Sequence, residues 1–175
     1  MRLLRDGVLD AWIGMYPDTP PDDDPELMSC HLLRMPTHLV VAEGHPLLKL
    51  GDAISLDDVR HYPALSLPDM AYPKVQEALQ ALGLWNSPSR IRRYRQELWE
   101  DRTLDQLTVG YASAFTLNLF GLPQVKLPLR IDLEVGDTLV VKRKYANHPR
   151  TQALLAMLRH RVQELAQTYP EIRPL

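Results

Sequence analysis

Histidines near carboxylates are the side chains of this sequence whose types could support acid–base or metal chemistry. None of them falls in a recognisable nucleophile, metal-binding or phosphate-loop motif. The four candidates are His45, His61, His148 and His160. His45 precedes a proline in a turn, where a structural role is the commoner one. We therefore expect a protein that is not an enzyme and that uses no cofactor.

Two further features could bind a metal or react. The acidic run Asp22-Asp23-Asp24 could hold a cation weakly, but metal sites need ligands that converge from several segments. We interpret the run as a solvated turn and expect no metal site. Cys30 is the single cysteine, so no disulfide can form within the chain. It has no histidine or asparagine pattern around it, which favours a core thiol.

Composition narrows the class of protein. The 175 residues are 45% hydrophobic and 24% charged, with a formal net charge of −2. These values are typical of a globular protein and offer no basic surface for nucleic acid. Charges interrupt the apolar run at the N-terminus, and no stretch approaches the roughly 18 apolar residues of a membrane helix. We expect a cytoplasmic protein that does not contact the membrane.

Periodicity and end signals predict an alternation of strands and helices. The chain opens like the end of a helix, with Gly7 as its C-cap. The predicted strands are Val8–Met15, His31–Arg34, Thr37–Ala42, Pro63–Leu67, Arg90–Tyr94, Val125–Leu133 and Thr138–Lys144. The predicted helices are Ser55–Val59, Tyr72–Leu82, Trp99–Leu107 and His148–Thr168, with a turn at Gly136-Asp137 and an ambiguous stretch at 108–119. The alternation indicates an α/β protein with mostly parallel strands.

Three segments carry a resemblance to the effector-binding domain of LysR-type transcription regulators. The first is the pattern from Leu4 to Ile13, a helix end, a glycine, an aspartate and a strand. The second is the strand and His-Pro-Leu turn from Leu39 to Leu47, followed by a short helix and a strand up to Leu65. The third is Thr138–Arg143 with the long closing helix. Together they extend over nearly the whole chain.

The resemblance implies an α/β fold of two Rossmann-like lobes joined by two crossover strands, as in type II periplasmic binding proteins. Lobe I would comprise 1–37 and 143–175, without the first strand and helix that the family has. Lobe II would comprise 38–142. A small-molecule effector would bind in the cleft between the lobes. The full-length regulator would be a homo-oligomer that binds DNA only through a helix-turn-helix domain absent from this sequence.

Loops that follow strands carry the binding groups in open α/β folds, and they supply the candidate effector-binding residues. These are Met15, Tyr16, Pro68, Asp69, Met70, Tyr111 and Ser113, with Ala112 beside them. Direct ligand contact and ordinary packing both remain open for each, and core packing is favoured for Tyr111 and Ala112. Helix N-termini after these loops suit an anionic effector. Asp69 either caps the following helix or favours a cationic or hydroxylated ligand.

Two functions fit these expectations. The first is the effector-sensing module of a regulator, in which a ligand shifts the balance between conformations. The alternative is a solute-binding protein of the same fold that serves a transporter, which would have to be exported. The sequence lacks a signal peptide, and this favours the regulator.

Overall fold

The computed structural model describes residues 1–20, 23–66, 72–84, 89–90, 109–113 and 124–175. Its strands are β1 (Ala11–Tyr16), β2 (Leu27–His31), β3 (Leu33–Ala42), β4 (Leu65–Ser66), β5 (Ser89–Arg90), β6 (Gly110–Ser113), β7 (Gln124–Lys142) and β8 (Arg173–Pro174). Its α-helices are α1 (Arg2–Arg5), α2 (Leu56–Arg60), α3 (Pro73–Ala81) and α4 (Pro149–Thr168). Two 3₁₀ segments, Pro46–Ala53 and Arg143–Tyr145, lie between them.

The chain divides into two compact units. Unit 1 comprises Met1–Met35 and Glu134–Leu175, and unit 2 comprises Pro36–Leu133. The chain passes between them inside two strands, because β3 and β7 each contribute residues to both units. Two crossover strands are what the fold class predicts. The finer lobe limits at residues 37 and 143 stay a prediction.

Unit 1 is built on the C-terminal half of β7. β1 and β2 both pair antiparallel with it, with Ala11 opposite Val141 and Leu27 opposite Lys142. Leu27 and Val140 are fully buried and form a small core with Leu4 and the ring of Trp12. The N-terminal helical turn is thereby attached to the sheet.

Unit 2 holds the larger apolar core. Its strand β6 pairs antiparallel with β3, and β4 pairs parallel with β5. The buried members of the core come from β3, the first 3₁₀ segment, α2, α3 and β7, and from residues that flank the 3₁₀ segment, α3 and β6. They are Leu39, Val41, Leu47, Ile54, Val59, Leu79, Leu84, Val109, Leu127, Ile131 and Leu133.

Local end signals confirm several of the predicted elements. Ser55 caps α2, and a full capping box forms because the Asp58 carboxylate accepts a 2.8 Å hydrogen bond from the Ser55 amide. Gly7 and Gly83 follow α1 and α3 with φ of 77° and 70°, the left-handed conformation that glycine adopts without strain. Short-range chemistry therefore sets these helix ends.

Two predicted strand breaks are wrong. β3 runs without interruption through Pro36, and β7 runs through Gly136-Asp137, where a turn was predicted. A Cβ built on Gly136 would meet the Leu33 carbonyl group. Glycine is needed here because the two backbones lie against each other, and such a close approach is a common reason for a glycine inside a strand.

The predicted excess of parallel pairs is also wrong for the described strands. β1, β2, β6 and β8 all pair antiparallel with β3 or β7, whereas β4 pairs parallel with β5 and Ala64 forms a parallel bridge with Val109. The long strands β3 and β7 account for this, because each of them runs opposite to the shorter strands that pair with it.

The closing helix α4 is confirmed in its limits, but its inner face is rotated from the predicted one. Leu155 and Val162 are its buried residues. Met157 was predicted to face inward, as were Ala153 and Arg161, and all three are exposed. Leu154, Leu158 and Leu165 lie at the boundary, so the apolar stripe is centred about one residue further along the chain.

Candidate functional site

The candidates of unit 2 fall into two groups. Pro68, Asp69 and Met70 lie outside the described residues. Tyr111 belongs to β6, where its ring packs against the large core and its hydroxyl donates a 2.5 Å hydrogen bond to the Leu84 carbonyl. Burial raises the pKa of Tyr111 far above its usual range.

The neighbours of Tyr111 in β6 lie opposite β3. Ser113 pairs with Thr37 across the two strands. The Thr37 hydroxyl is buried and has no hydrogen-bond partner among the described residues. Ala112 pairs with His38 through the same stretch of backbone. Direct effector contact by Tyr111 and Ser113 stays a prediction.

The candidates of unit 1 lie at the end of β1. Met15 pairs with Asp137 and Tyr16 with Gly136, so both candidates are fixed by the antiparallel ladder with β7. Both side chains are half-buried. The strand therefore presents an apolar thioether and a phenol ring at a defined place in unit 1.

Side chains from two other strands contact the Tyr16 ring. The His31 ring at the end of β2 meets the Tyr16 ring edge-on, with 5.5 Å between the ring centres. The Arg34 guanidinium carbon at the start of β3 lies 4.5 Å from the centre of the same ring. His31 Nδ1 is 2.9 Å from the hydroxyl of Thr138, which is fully buried in β7. We name these four residues the Tyr16 cluster.

Each contact of the Tyr16 cluster has a physical role. An arginine over an aromatic face gains about 0.5–2 kcal/mol, more as the pair loses water. The Thr138 hydroxyl fixes the plane of the His31 ring, because the two residues are direct cross-strand partners. The cluster thus holds an aromatic ring, an imidazole and a cation in fixed positions, the combination that small-molecule sites use for orientation.

Arg34 is the least satisfied member of the Tyr16 cluster. Its Nε is buried and has no hydrogen-bond partner among the described residues. A guanidinium has five N–H donors, and this one lies over the Tyr16 ring. The Nε–H group is thus a buried donor without an acceptor in the described part of the chain.

Asp137 lies beside this cluster in β7, opposite Met15. Its backbone carbonyl accepts a 2.9 Å hydrogen bond from the Leu32 amide. Burial raises the pKa of the Asp137 carboxyl, because the charged form loses hydration. The ionised carboxylate therefore lowers the stability of the folded chain.

We expect Asp137→Asn to be more stable than the wild type at neutral pH. A carboxyl whose folded pKa is raised contributes its stability fully below its ordinary pKa of 3.8 and loses it as the pH rises through the folded value. The difference should thus grow from acid toward neutral pH in urea unfolding at a series of pH values. Asp132→Asn, at an exposed position of the same strand, controls for the loss of a charge. A neutral-pH stability at or below that of the wild type would contradict the prediction.

The histidines outside the Tyr16 cluster have structural or exposed positions. His45 is fully buried, its Nδ1 accepts a 3.2 Å hydrogen bond from the Leu47 amide, and its ring lies 4.7 Å from that of Tyr62. His148 caps α4 in the same way, through the Arg150 amide. His160 is exposed near Glu164. No group of three potential metal ligands occurs among the described residues.

His31, Arg34 and Thr138 are the residues that sequence reasoning missed. All three were treated as ordinary strand residues. Arg34 carried no signal either, because it alternates with the buried Leu33 and Met35 as a residue on the outer face of a strand does. The three residues come together near Tyr16 only through strand pairing, and no local sequence pattern indicates this.

Comparisons with solved structures show that other proteins share this fold. The chain superposes on the reduced form of OxyR from N. meningitidis with a TM-score of 0.70, at 16% identity, over 99% of this chain and 78% of that one. For the regulatory domain of MetR from N. meningitidis, a LysR family regulator, the TM-score is 0.71 at 13% identity, over 99% of this chain and 78% of that one. For full-length BenM the TM-score is 0.68 at 19% identity, and the superposition covers 95% of this chain and 55% of BenM. These identities establish the fold alone.

The sequence comparisons are more specific. The search of curated sequences finds no significant match. No helix in the described part of the chain combines the length and the hydropathy that crossing a bilayer requires. Unlike the curated sequences, the model of the LysR substrate binding domain family matches the chain, over residues 1–163. The two-unit fold with its paired crossover strands agrees with that match, and the chain belongs to the LysR substrate-binding domain family.

Proposed function

We propose that this domain is the effector sensor of a LysR-type transcription regulator and that its small-molecule effector contacts the Tyr16 cluster. The observation that carries the proposal is the convergence of Tyr16, His31 and Arg34 from three strands, with the buried Nε of Arg34 lacking an acceptor among the described residues. Family membership favours regulation over the transport alternative. The cleft implied by the resemblance stays a prediction.

Effector binding would act by shifting populations. A ligand changes a conformational equilibrium only as far as it binds one conformation better than the other. A hundredfold preference changes the equilibrium by about 2.7 kcal/mol, enough to reverse a modest bias. In the full regulator, a homo-oligomer would transmit this change to a separate DNA-binding domain. The 55% share of full-length BenM that the chain spans is consistent with such an arrangement.

Tyr16→Ala tests the placement of the effector. Small metabolites are first screened by thermal shift on the wild type, and hits are measured by calorimetry on wild type and variant. Loss of the ring should weaken a true effector at least about tenfold, roughly 1.4 kcal/mol, because it removes the wall against which the ligand packs.

Tyr145→Ala is the matched control for that experiment. Tyr145 also carries a cation over its ring, with Lys144 Nζ 4.9 Å from the ring centre, but it is 44% exposed and lies outside the Tyr16 cluster. This variant should bind hits as the wild type does. A hit whose affinity is unchanged by Tyr16→Ala would place the effector elsewhere in the domain.

A further inference from the structure

Arg34 is a partly buried cation without a counter-ion among the described residues. Its Nε is removed from water and makes no hydrogen bond there. The neighbouring carboxyl of Asp137 does not serve as partner, since burial alone shifts its pKa and no arginine contributes. A guanidinium left in this state costs free energy that a bound anion would recover.

The surroundings of Arg34 restrict which anion fits. The Tyr16 ring covers one face of the guanidinium, so an acceptor would approach the N–H groups in the plane of the guanidinium, where a planar carboxylate accepts two parallel N–H bonds. His31 Nδ1 is already engaged by the Thr138 hydroxyl. The single positive charge of Arg34 is neutralised by a ligand that carries one negative charge. A dianionic phosphate would leave a net negative charge at the site.

We propose that Arg34 anchors the carboxylate of a small monocarboxylate effector, whose apolar part lies toward Tyr16. The proposal rests on the proposed function in so far as it concerns an effector, and it adds the chemical class of that ligand. Arg34 is then the residue that determines specificity for charge. A neutral analogue of the same shape would be rejected because the guanidinium would stay without a counter-ion.

The primary test uses acetate and acetamide, which share size and differ in charge. Each is titrated into the ¹⁵N-labelled domain at constant ionic strength, and the Arg34 Nε–Hε resonance is followed by NMR. Acetate should shift this resonance along a saturable curve with a dissociation constant of about 1 mM or weaker, as expected for so small a ligand. Acetamide should leave it unchanged. No shift with acetate, or equal shifts with both, would overturn the proposal.

Variants separate a specific anchor from a general effect of charge. Arg34→Gln should weaken acetate at least about tenfold, as followed by neighbouring backbone amides, and Arg34→Lys should recover part of the loss. Arg161→Gln, at an exposed arginine of α4, should bind acetate as the wild type does. Inorganic phosphate serves as the competing anion. Tighter saturable binding of phosphate than of acetate would contradict the assignment to carboxylates.

The outcomes also separate this inference from the proposed function. If acetate saturates at Arg34 while Tyr16→Ala leaves every effector unaffected, the anchor holds and the effector placement fails. If an effector requires Tyr16 but binds equally to Arg34→Gln, the placement holds and the carboxylate anchor fails.

Discussion

Gly136→Ala should destabilise the domain by about 3 kcal/mol or more, at or beyond the upper end of what overpacking costs. The added Cβ would meet the Leu33 carbonyl oxygen and lie 3.1 Å from the Leu33 carbonyl carbon and 3.3 Å from the Arg34 Cα. These are backbone atoms, so a side-chain rotation cannot relieve the clash and the strands β3 and β7 must separate. Urea unfolding followed by circular dichroism measures the loss.

Gly44→Ala is the control for the cost of the methyl group itself. Gly44 has a φ of 85°, and a Cβ built there meets nothing within 4 Å. Its substitution should cost only the about 1–2 kcal/mol of the left-handed backbone conformation. Equal losses for the two variants would show that the close approach at Gly136 is absent in solution.

Leu39→Ala should cost about 2–5 kcal/mol, the range for removing a fully buried leucine. Leu39 is 0% exposed and lies in the part of β3 that supplies the large core of unit 2. The loss combines the transfer of the removed methyl groups with the cavity that remains. The midpoint of urea unfolding should therefore fall while its slope stays constant.

Leu50→Ala supplies the comparison, because Leu50 is 43% exposed in the 3₁₀ segment of the same unit. Its substitution should change stability by no more than about 0.5 kcal/mol. A Leu39→Ala variant as stable as Leu50→Ala would mean that β3 does not form the centre of the core.

Features governed by neighbours in sequence were predictable. Contacts within one or two helical turns determine these features: the capping box of Ser55 and Asp58, the glycines that end α1 and α3, and the limits of α4. The family resemblance then supplied the two-unit arrangement, which no local pattern encodes. Local signals failed where long-range pairing overrides them. Pro36 and Gly136 resemble strand breakers, yet both lie inside strands that tertiary packing extends.

The candidate site was predictable at one residue and hidden at the rest. Tyr16 was found because it follows a strand, a position where binding groups collect. His31, Arg34 and Thr138 join it only through the registers of β2, β3 and β7, which are fixed across more than a hundred residues of sequence. A single sequence gives the alternation of strand residues, and it does not give the partner of each strand.

The two passages of the chain through β3 and β7 have a consequence for synthesis on the ribosome. Unit 2 is one continuous segment, whereas unit 1 combines residues 1–35 with residues 134–175. At about 5–20 residues per second, the first segment of unit 1 waits at least about 5 s before β7 emerges to pair with it. During that interval β1 and β2 lack their ladder partner, and the exposed Leu3, Val8 and Ile13 add to their apolar surface. The nascent chain is therefore most vulnerable to aggregation and to capture by chaperones before residue 134 is made, and translation speed across unit 2 sets how long that period lasts.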